Sequence, residues 1–228
     1  MTLNIVTKAD DRVVVRNVLI SVSDKSGLED FVPGLVAAQP QVKLLSTGGT
    51  FAAISSILGA EAASRHLIQV SDYTGQPEMQ GGLVKTLDFK IYLGLLSEAH
   101  NVDHRNDLSR TGAITIDMVV VNLYPFQQTI ARPDLTPELA RTNIDIGGPC
   151  MVRAAAKNYL RVASVTDPRD YPQILAEMSA NKASLSLDTR FELMRKAFAH
   201  TAAYDSAIAT HFAGLDVAAI GRQYEIGS

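Results

Sequence analysis

A single cysteine, Cys150, occurs in the chain, which excludes an internal disulfide and fits a reducing compartment. Basic excess is missing too: 21 Lys and Arg stand against 24 Asp and Glu, for a formal charge of −3. The electrostatic footprint of a nucleic-acid binder is therefore lacking, and no nucleic-acid partner is expected. A small anion can still be held locally. There is no long apolar run and no charged-then-apolar leader, since the first dozen residues are mixed and polar. The expectation is a soluble cytoplasmic protein with no membrane partner. Repeats and low-complexity linkers do not occur, so nothing marks an internal domain boundary.

At 228 residues and 46% hydrophobic, the chain can bury one full core. One globular domain over 1–228 is expected, with a core over about 13–180 and a C-terminal helical segment over about 186–213. Apolar β-rich runs alternate with helical patterns from residue 13 onward, and that alternation argues for an α/β fold with a mostly parallel sheet. Residues 13–22, 42–46, 65–70, 117–124 and 161–166 read as strands. Helices are expected over 27–38, where Pro33 implies a kink, from FAAISSIL after TGGT, over PRDYPQILAEM, and across 188–212 as one long helix or a broken pair. In VKTLDFKIYLGLLSE, helix and strand cannot be separated by periodicity.

The stretch 143–158, NIDIGGPCMVRAAAKN, sets an aspartate, two glycines and two cations into an alanine-rich helix expected to begin at Pro149. Arg153 and Lys157 fall four apart, on one face. Either they form an ordinary charged helix face, or the Lys157 stem crosses apolar surface and its ammonium is desolvated enough to exchange protons near neutrality. Three polar clusters follow predicted strands: SVSDK (21–25), STGGT (46–50) and NLYPF (122–126). All three then lie at carboxyl ends, the edge where open α/β sheets bind ligands. STGGT can present backbone N–H groups to an anion at a helix start, or be a plain strand-to-helix turn. Lys25 could meet the same phosphate as a point charge. GGLVKTLD brings Lys85 and Thr86 behind the Gly81 and Gly82 pair. Asn122 can donate to and accept from a planar amide, and Tyr124 can donate to a developing charge. HNVDHRND (100–107) reads as a solvated loop and not as a metal site. Cys150 reads as a packed thiol, and His200 as packed in the long helix or bonded near Tyr204 or Asp205.

Taken in order, SVSDKSGL, STGGT, VSDYTGQPEMQGGLVKTL, NLYPF, IDIGG, RAAAKN and KAFAHTAAYD resemble the inosine monophosphate cyclohydrolase domain of the bifunctional purine-synthesis family, over about residues 16–212. The resemblance implies a methylglyoxal synthase-like three-layer α/β sandwich and a cofactor-free, metal-free ring closure. In it, formamidoimidazole carboxamide ribonucleotide loses water to give inosine monophosphate. It also implies a homodimer. The formyltransferase domain that follows in the family is not expected within these residues, so a separate polypeptide would supply the formylated substrate.

Matched motif to motif, Ser21, Ser23, Asp24, Lys25, Thr47, Gly48, Gly49 and Thr50 are implied at the phosphate and ribose end. Val84, Thr86, Asn122, Leu123, Ile146 and Gly147 are implied around the base. Lys157 corresponds to the family's proton-transfer lysine, with Lys85, Tyr124 and Asp145 assisting. The chain departs from the family pattern GGRVKTLHP: Leu83 replaces an arginine, Asp88 and Phe89 replace a histidine and a proline, and Tyr92 replaces a later histidine. Loss of that arginine removes a bidentate anion contact, for which Lys90 is the candidate substitute. Two other functions compete: a non-catalytic nucleotide-sensing module, and a small-phosphate lyase of the methylglyoxal synthase type.

Overall fold

The computed structural model of the chain describes residues 5–77, 79, 84–225 and 227. Five strands, β2 (Asn17–Val22), β3 (Lys43–Ser46), β4 (Leu67–Gln69), β5 (Met118–Asn122) and β6 (Ala163–Val165), form a sheet in the order β4-β3-β2-β5-β6, parallel throughout. The strands are short and apolar, and side chains alternate between the two faces. Val18, Ile20, Met118 and Val120 join one core cluster, while Leu19, Val119 and Val121 join the other. Helices α1 (Leu28–Ala38), α2 (Gly48–His66) and α9 (Tyr171–Ala180) supply Phe31, Ile54 and Ile174 to the first cluster. Helices α4 (Phe89–Leu96), α8 (Gly147–Lys157) and α10 (Leu187–Ala213) supply Ile91, Met151 and Ala197 to the second. The result is the expected α/β sandwich of three layers.

The strand expected over 13–22 divides in two. Residues Arg12–Val14 form β1, which pairs antiparallel with β7 (Ser184–Ser186) in a separate two-stranded sheet. The break has a local cause, because Asp117 Oδ2 accepts from the N–H groups of Arg16 and Asn17, at 2.9 and 3.0 Å, and turns the chain into the main sheet. Pro33 stands inside α1 on its exposed side, so the helix carbonyl left without its N–H partner faces solvent. The ambiguous segment 84–98 contains α4, begun by Asp88, whose Oδ1 accepts from Lys90 N at 2.8 Å.

Residues 100–107, expected to be a loop, instead enter helix α5 (Val102–Thr111). Asn101 caps it by accepting from His104 N, and Gly112 closes it in the left-handed region at φ 64°. This helix buries no residue, so no apolar stripe announced it. Residues 187–213 make one unbroken helix. The remaining helices are α3 (Val70–Thr74), α6 (Phe126–Ile130), α7 (Pro137–Thr142) and α11 (Val217–Gly221). Among the described residues no helix is long and apolar enough to cross a membrane.

Candidate active site

The strand order reverses between β2 and β5, and at such a switch point the loops leaving the carboxyl ends diverge and open a crevice. A cavity of about 660 Å³ occupies it, within the range that encloses a small-molecule ligand. The loop after β2 contributes Ser21, Ser23 and Lys25, and the start of α2 contributes Thr47, Gly48, Gly49 and Thr50. Val84, Lys85 and Thr86 enter from the segment before α4, Asn122 and Tyr124 from the end of β5, and Asp145, Ile146 and Gly147 from the entry to α8. Val22, Leu87, Thr142, Ile144, Gly148 and Met151 complete the lining. Sequence reasoning missed these six, whose apolar or small side chains carry no chemical signal. Leu83, Gly81 and Gly82 lie outside the described residues.

One end of the cavity is formed by the start of α2. Gly48 takes a left-handed φ of 49°, and added Cβ atoms at Gly48 and Gly49 would meet nothing within 4 Å. The first N–H groups of α2 are therefore uncovered, with the positive end of the helix dipole behind them. Thr50 is buried, and its hydroxyl is already engaged: it accepts from Val22 N and donates to Val22 O, both at 3.1 Å. It locks α2 to β2 and leaves its backbone N–H for a ligand. Asn122 also lines the cavity, and much of its amide is engaged. Its Oδ1 accepts from the N–H groups of Ser23 and Asp24 at 2.7 and 2.8 Å, and its Nδ2 donates to Asp24 O at 2.9 Å, so the side chain holds the loop after β2 in place.

The other end carries the titratable groups. Asp145 Oδ1 accepts from Gly148 N at 3.0 Å, which draws the first helical turn back to Gly147 from the expected Pro149. Burial raises the Asp145 pKa above the ordinary carboxylate value, and the Gly148 N–H opposes this. A Cβ at 148 would stand 2.2 Å from Asp145 Oδ2, so a larger residue there would displace the carboxyl. Lys85 is half-buried beside Thr47 and Thr86, and Tyr124 stands 56% exposed at the mouth. Val84 holds a positive φ of 55°, unusual for a β-branched residue. Among the described residues no group of three or more His, Cys, Asp or Glu could hold a metal ion.

Four expected site residues stand elsewhere. Asp24 turns out of the cavity and accepts from Ser26 N and Ser26 Oγ at 2.9 and 2.6 Å, bonds that hold its carboxyl below the usual range. Leu123 is buried beneath the cavity floor, against Gly148. Lys90 Nζ donates to Tyr73 O at 3.2 Å and is not part of the lining, so it does not stand in for the missing arginine. Lys157 is exposed at the last position of α8, roughly 15 Å along the axis from Gly147 at 1.5 Å per residue. It is not among the residues that line the cavity with Asp145 in its own chain. Its companion Arg153 stacks over Phe198, 5.7 Å from the ring centroid.

A larger depression of about 980 Å³ adjoins the cavity and shares Ser23 and Asn122 with it. Its charges are already paired as Arg169 with Asp167 and Lys196 with Asp170. The uncovered N–H groups of α2 and the Asp145 carboxyl both belong to the smaller cavity.

Residues 27–150 match the family model described as MGS-like domain. The chain belongs to the MGS-like domain family. Residues 155–226 of this MGS-like chain match the family described as AICARFT/IMPCHase bienzyme. It is 47% identical over 213 residues to the bifunctional purine biosynthesis protein PurH of Neisseria meningitidis, aligning 93% of this chain with 39% of that protein. It is also 47% identical over 214 residues to PurH of Neisseria gonorrhoeae, aligning 94% of the chain with 39% of the relative. The chain thus spans well under half the length of these relatives. Among solved structures, the crystal structure of ForH superposes with a TM-score of 0.72 at 29% identity, covering 87% of this chain and 99% of that one.

Proposed function

We propose that the MGS-like chain closes the pyrimidine ring of a formamidoimidazole carboxamide ribonucleotide, releasing water and inosine monophosphate. The observation that carries this reading is the single cavity that joins an anion cradle at the start of α2 to a half-buried carboxyl, a lysine and a tyrosine at its other end. A mononucleotide has the matching polarity, with phosphate at one end and reacting groups at the other. The 47% identity to bifunctional purine biosynthesis proteins supports the same substrate class.

Both reacting groups sit on one molecule, so positioning the carboxamide nitrogen against the formyl carbon supplies much of the acceleration. Asp145 takes the proton that the nitrogen loses as the C–N bond forms, a role suited by a carboxyl whose pKa burial has raised. Lys85 and Tyr124 stabilise the negative charge that gathers on the former formyl oxygen. Return of that proton to the oxygen gives a hydroxyl, and transfer of a second proton from the former formamido N–H, as the ring C=N bond forms and the C–O bond breaks, lets it depart as water. These steps use no cofactor and no metal. Gly49 and Thr50 offer backbone N–H groups to the phosphate, with Lys25 and Ser23 beside them.

Lys157 enters this scheme only from a second copy, because α8 holds it away from the cavity of its own chain. The homodimer implied by the family resemblance would have to bring it there. Lys157→Met tests the point: a turnover loss of about 100-fold that mixing with Asp145→Asn chains partly restores would assign the lysine to a shared site. Unchanged turnover removes it from the mechanism. The decisive assay incubates the purified protein with the formamido nucleotide alone and follows inosine monophosphate by absorbance. Tight binding without product would replace the enzyme by a nucleotide-sensing module.

A further inference from the structure

The motif KAFAHTAAYD was left without a role by the cavity lining, yet its tyrosine reaches the site from behind. Tyr204 lies on α10, 8% exposed, with its ring edge-on to Phe126 at a centroid distance of 6.3 Å. Its Oη accepts a hydrogen bond from the backbone N–H of Asp145 at 2.7 Å, across 59 residues of sequence. Asp145 is thus tied at two points, its N–H to Tyr204 and its Oδ1 to Gly148 N. Oδ2 takes no part in either tie. Tyr204 does not line the cavity, so whatever it contributes passes through Asp145.

We propose that Tyr204 is a positioning residue for the ring closure: its hydroxyl fixes the Asp145 peptide so that the carboxyl meets the bound nucleotide in one orientation. The physical ground is the demand of a partly buried N–H for an acceptor. Remove the hydroxyl and that N–H must find another partner, and water is the nearest candidate. The peptide then rotates and carries the carboxyl with it. Displacements of this order are costly to catalysis even when the moved group survives intact. The proposal rests on Asp145 being the proton acceptor of the reaction described above.

The test is Tyr204→Phe, which keeps the ring against Phe126 and deletes only the hydroxyl. Two readouts are required: kcat and KM for ring closure, and the titration of the Asp145 carboxyl by carbon NMR in aspartate-labelled protein, assigned with Asp145→Asn. The expected result is a kcat reduced about tenfold with KM within about twofold, and a titration midpoint that falls toward the ordinary carboxylate range as the loosened loop admits water. Unchanged kcat and an unchanged midpoint would overturn the proposal.

Phe126→Leu serves as the control for packing. It loosens the same contact while keeping the hydroxyl, and it should lower the melting temperature without moving the midpoint or kcat. Equal shifts in Phe126→Leu and Tyr204→Phe would show that packing alone is responsible, and the hydroxyl would lose its role. Failure of the functional reading is distinguishable from these outcomes, because it appears as wild-type protein that makes no product, while the titration still reports whether Tyr204 holds Asp145.

Discussion

At the amino ends of the parallel strands, Arg161 and Asp117 are both buried and form an ion pair at 3.2 Å, whereas at the carboxyl ends Asp145 is half-buried and bonded through Oδ1 to the Gly148 N–H. Arg161 also donates to the carbonyls of Gly94, Leu95, Ser97 and Ile116, and the remaining Asp117 oxygen accepts from the N–H groups of Arg16 and Asn17. Arg190, 1% exposed, donates at the same end of the molecule to the carbonyls of Asp10, Asp11, Tyr159, Leu160 and Leu185. Every strong group there is consumed internally. At the opposite edge, glycines leave the start of a helix open and a half-buried carboxyl faces the cavity. Buried charge at the amino edge therefore fastens the sheet, whereas polar groups at the carboxyl edge face a cavity.

Breaking the amino edge should have the larger effect. Arg161→Met leaves Asp117 buried without its cation and should cost about 3–5 kcal/mol, read as a lowered urea midpoint. Turnover per folded molecule should hardly change, since Arg161 is far from the cavity. A variant with normal stability would show that the pair fastens nothing.

Asp145→Asn should behave oppositely. Turnover should drop at least about 100-fold, the low end for a proton-transfer group, equivalent to about 2.7 kcal/mol of barrier. Its stability should rise slightly at neutral pH. The sign follows from linkage: folding raises this carboxyl's pKa, so above the unfolded value the folded state holds it more protonated and loses stability as pH rises through the two values. The amide escapes that loss, and can still accept from Gly148 N. The stability gain should therefore disappear when melting is measured below about pH 4, near the unfolded aspartate value. A variant less stable than wild type at pH 7 would contradict the assigned direction.

The smallest effect is expected at Gly48→Ala. Space for the methyl group is open, but φ is 49°, and a left-handed alanine costs about 1–2 kcal/mol. Calorimetry should show a modest fall in melting temperature, and an unshifted transition would mean that the turn relaxes into another conformation.

Much of this architecture can be read along the chain. The runs around Val18, Val119 and Ala163 are apolar and β-rich, and the polar clusters that follow the first two are placed at the sheet's carboxyl edge by chain order alone. Thr47 to Thr50 stood out in this way, because residue type and neighbouring residues announce a turn into a helix, whereas Asp145 to Gly147 were named through the motif resemblance. The amino edge was not legible. Nothing near Arg161 or Arg190 in sequence hints that carbonyls from several distant segments surround each guanidinium. Helix α5 was missed because its residues are polar all round. Asn122 was placed at the correct edge, but its hold on the loop after β2 was not foreseen, since the direction of a side chain depends on the loop it meets across 98 to 99 residues.

Local order of residue types thus determined the strands, the layers, the glycine turns and the edge at which the cavity opens, because backbone preference and apolar periodicity act over a few residues. Tertiary structure alone decided which of those residues meet. It tied Asp145 to Tyr204, locked Thr50 onto Val22, and set Lys157 a helix length away from the carboxyl it was expected to serve. Those outcomes depend on packing distance and on the exclusion of water, which arise only when segments far apart in the chain are brought together.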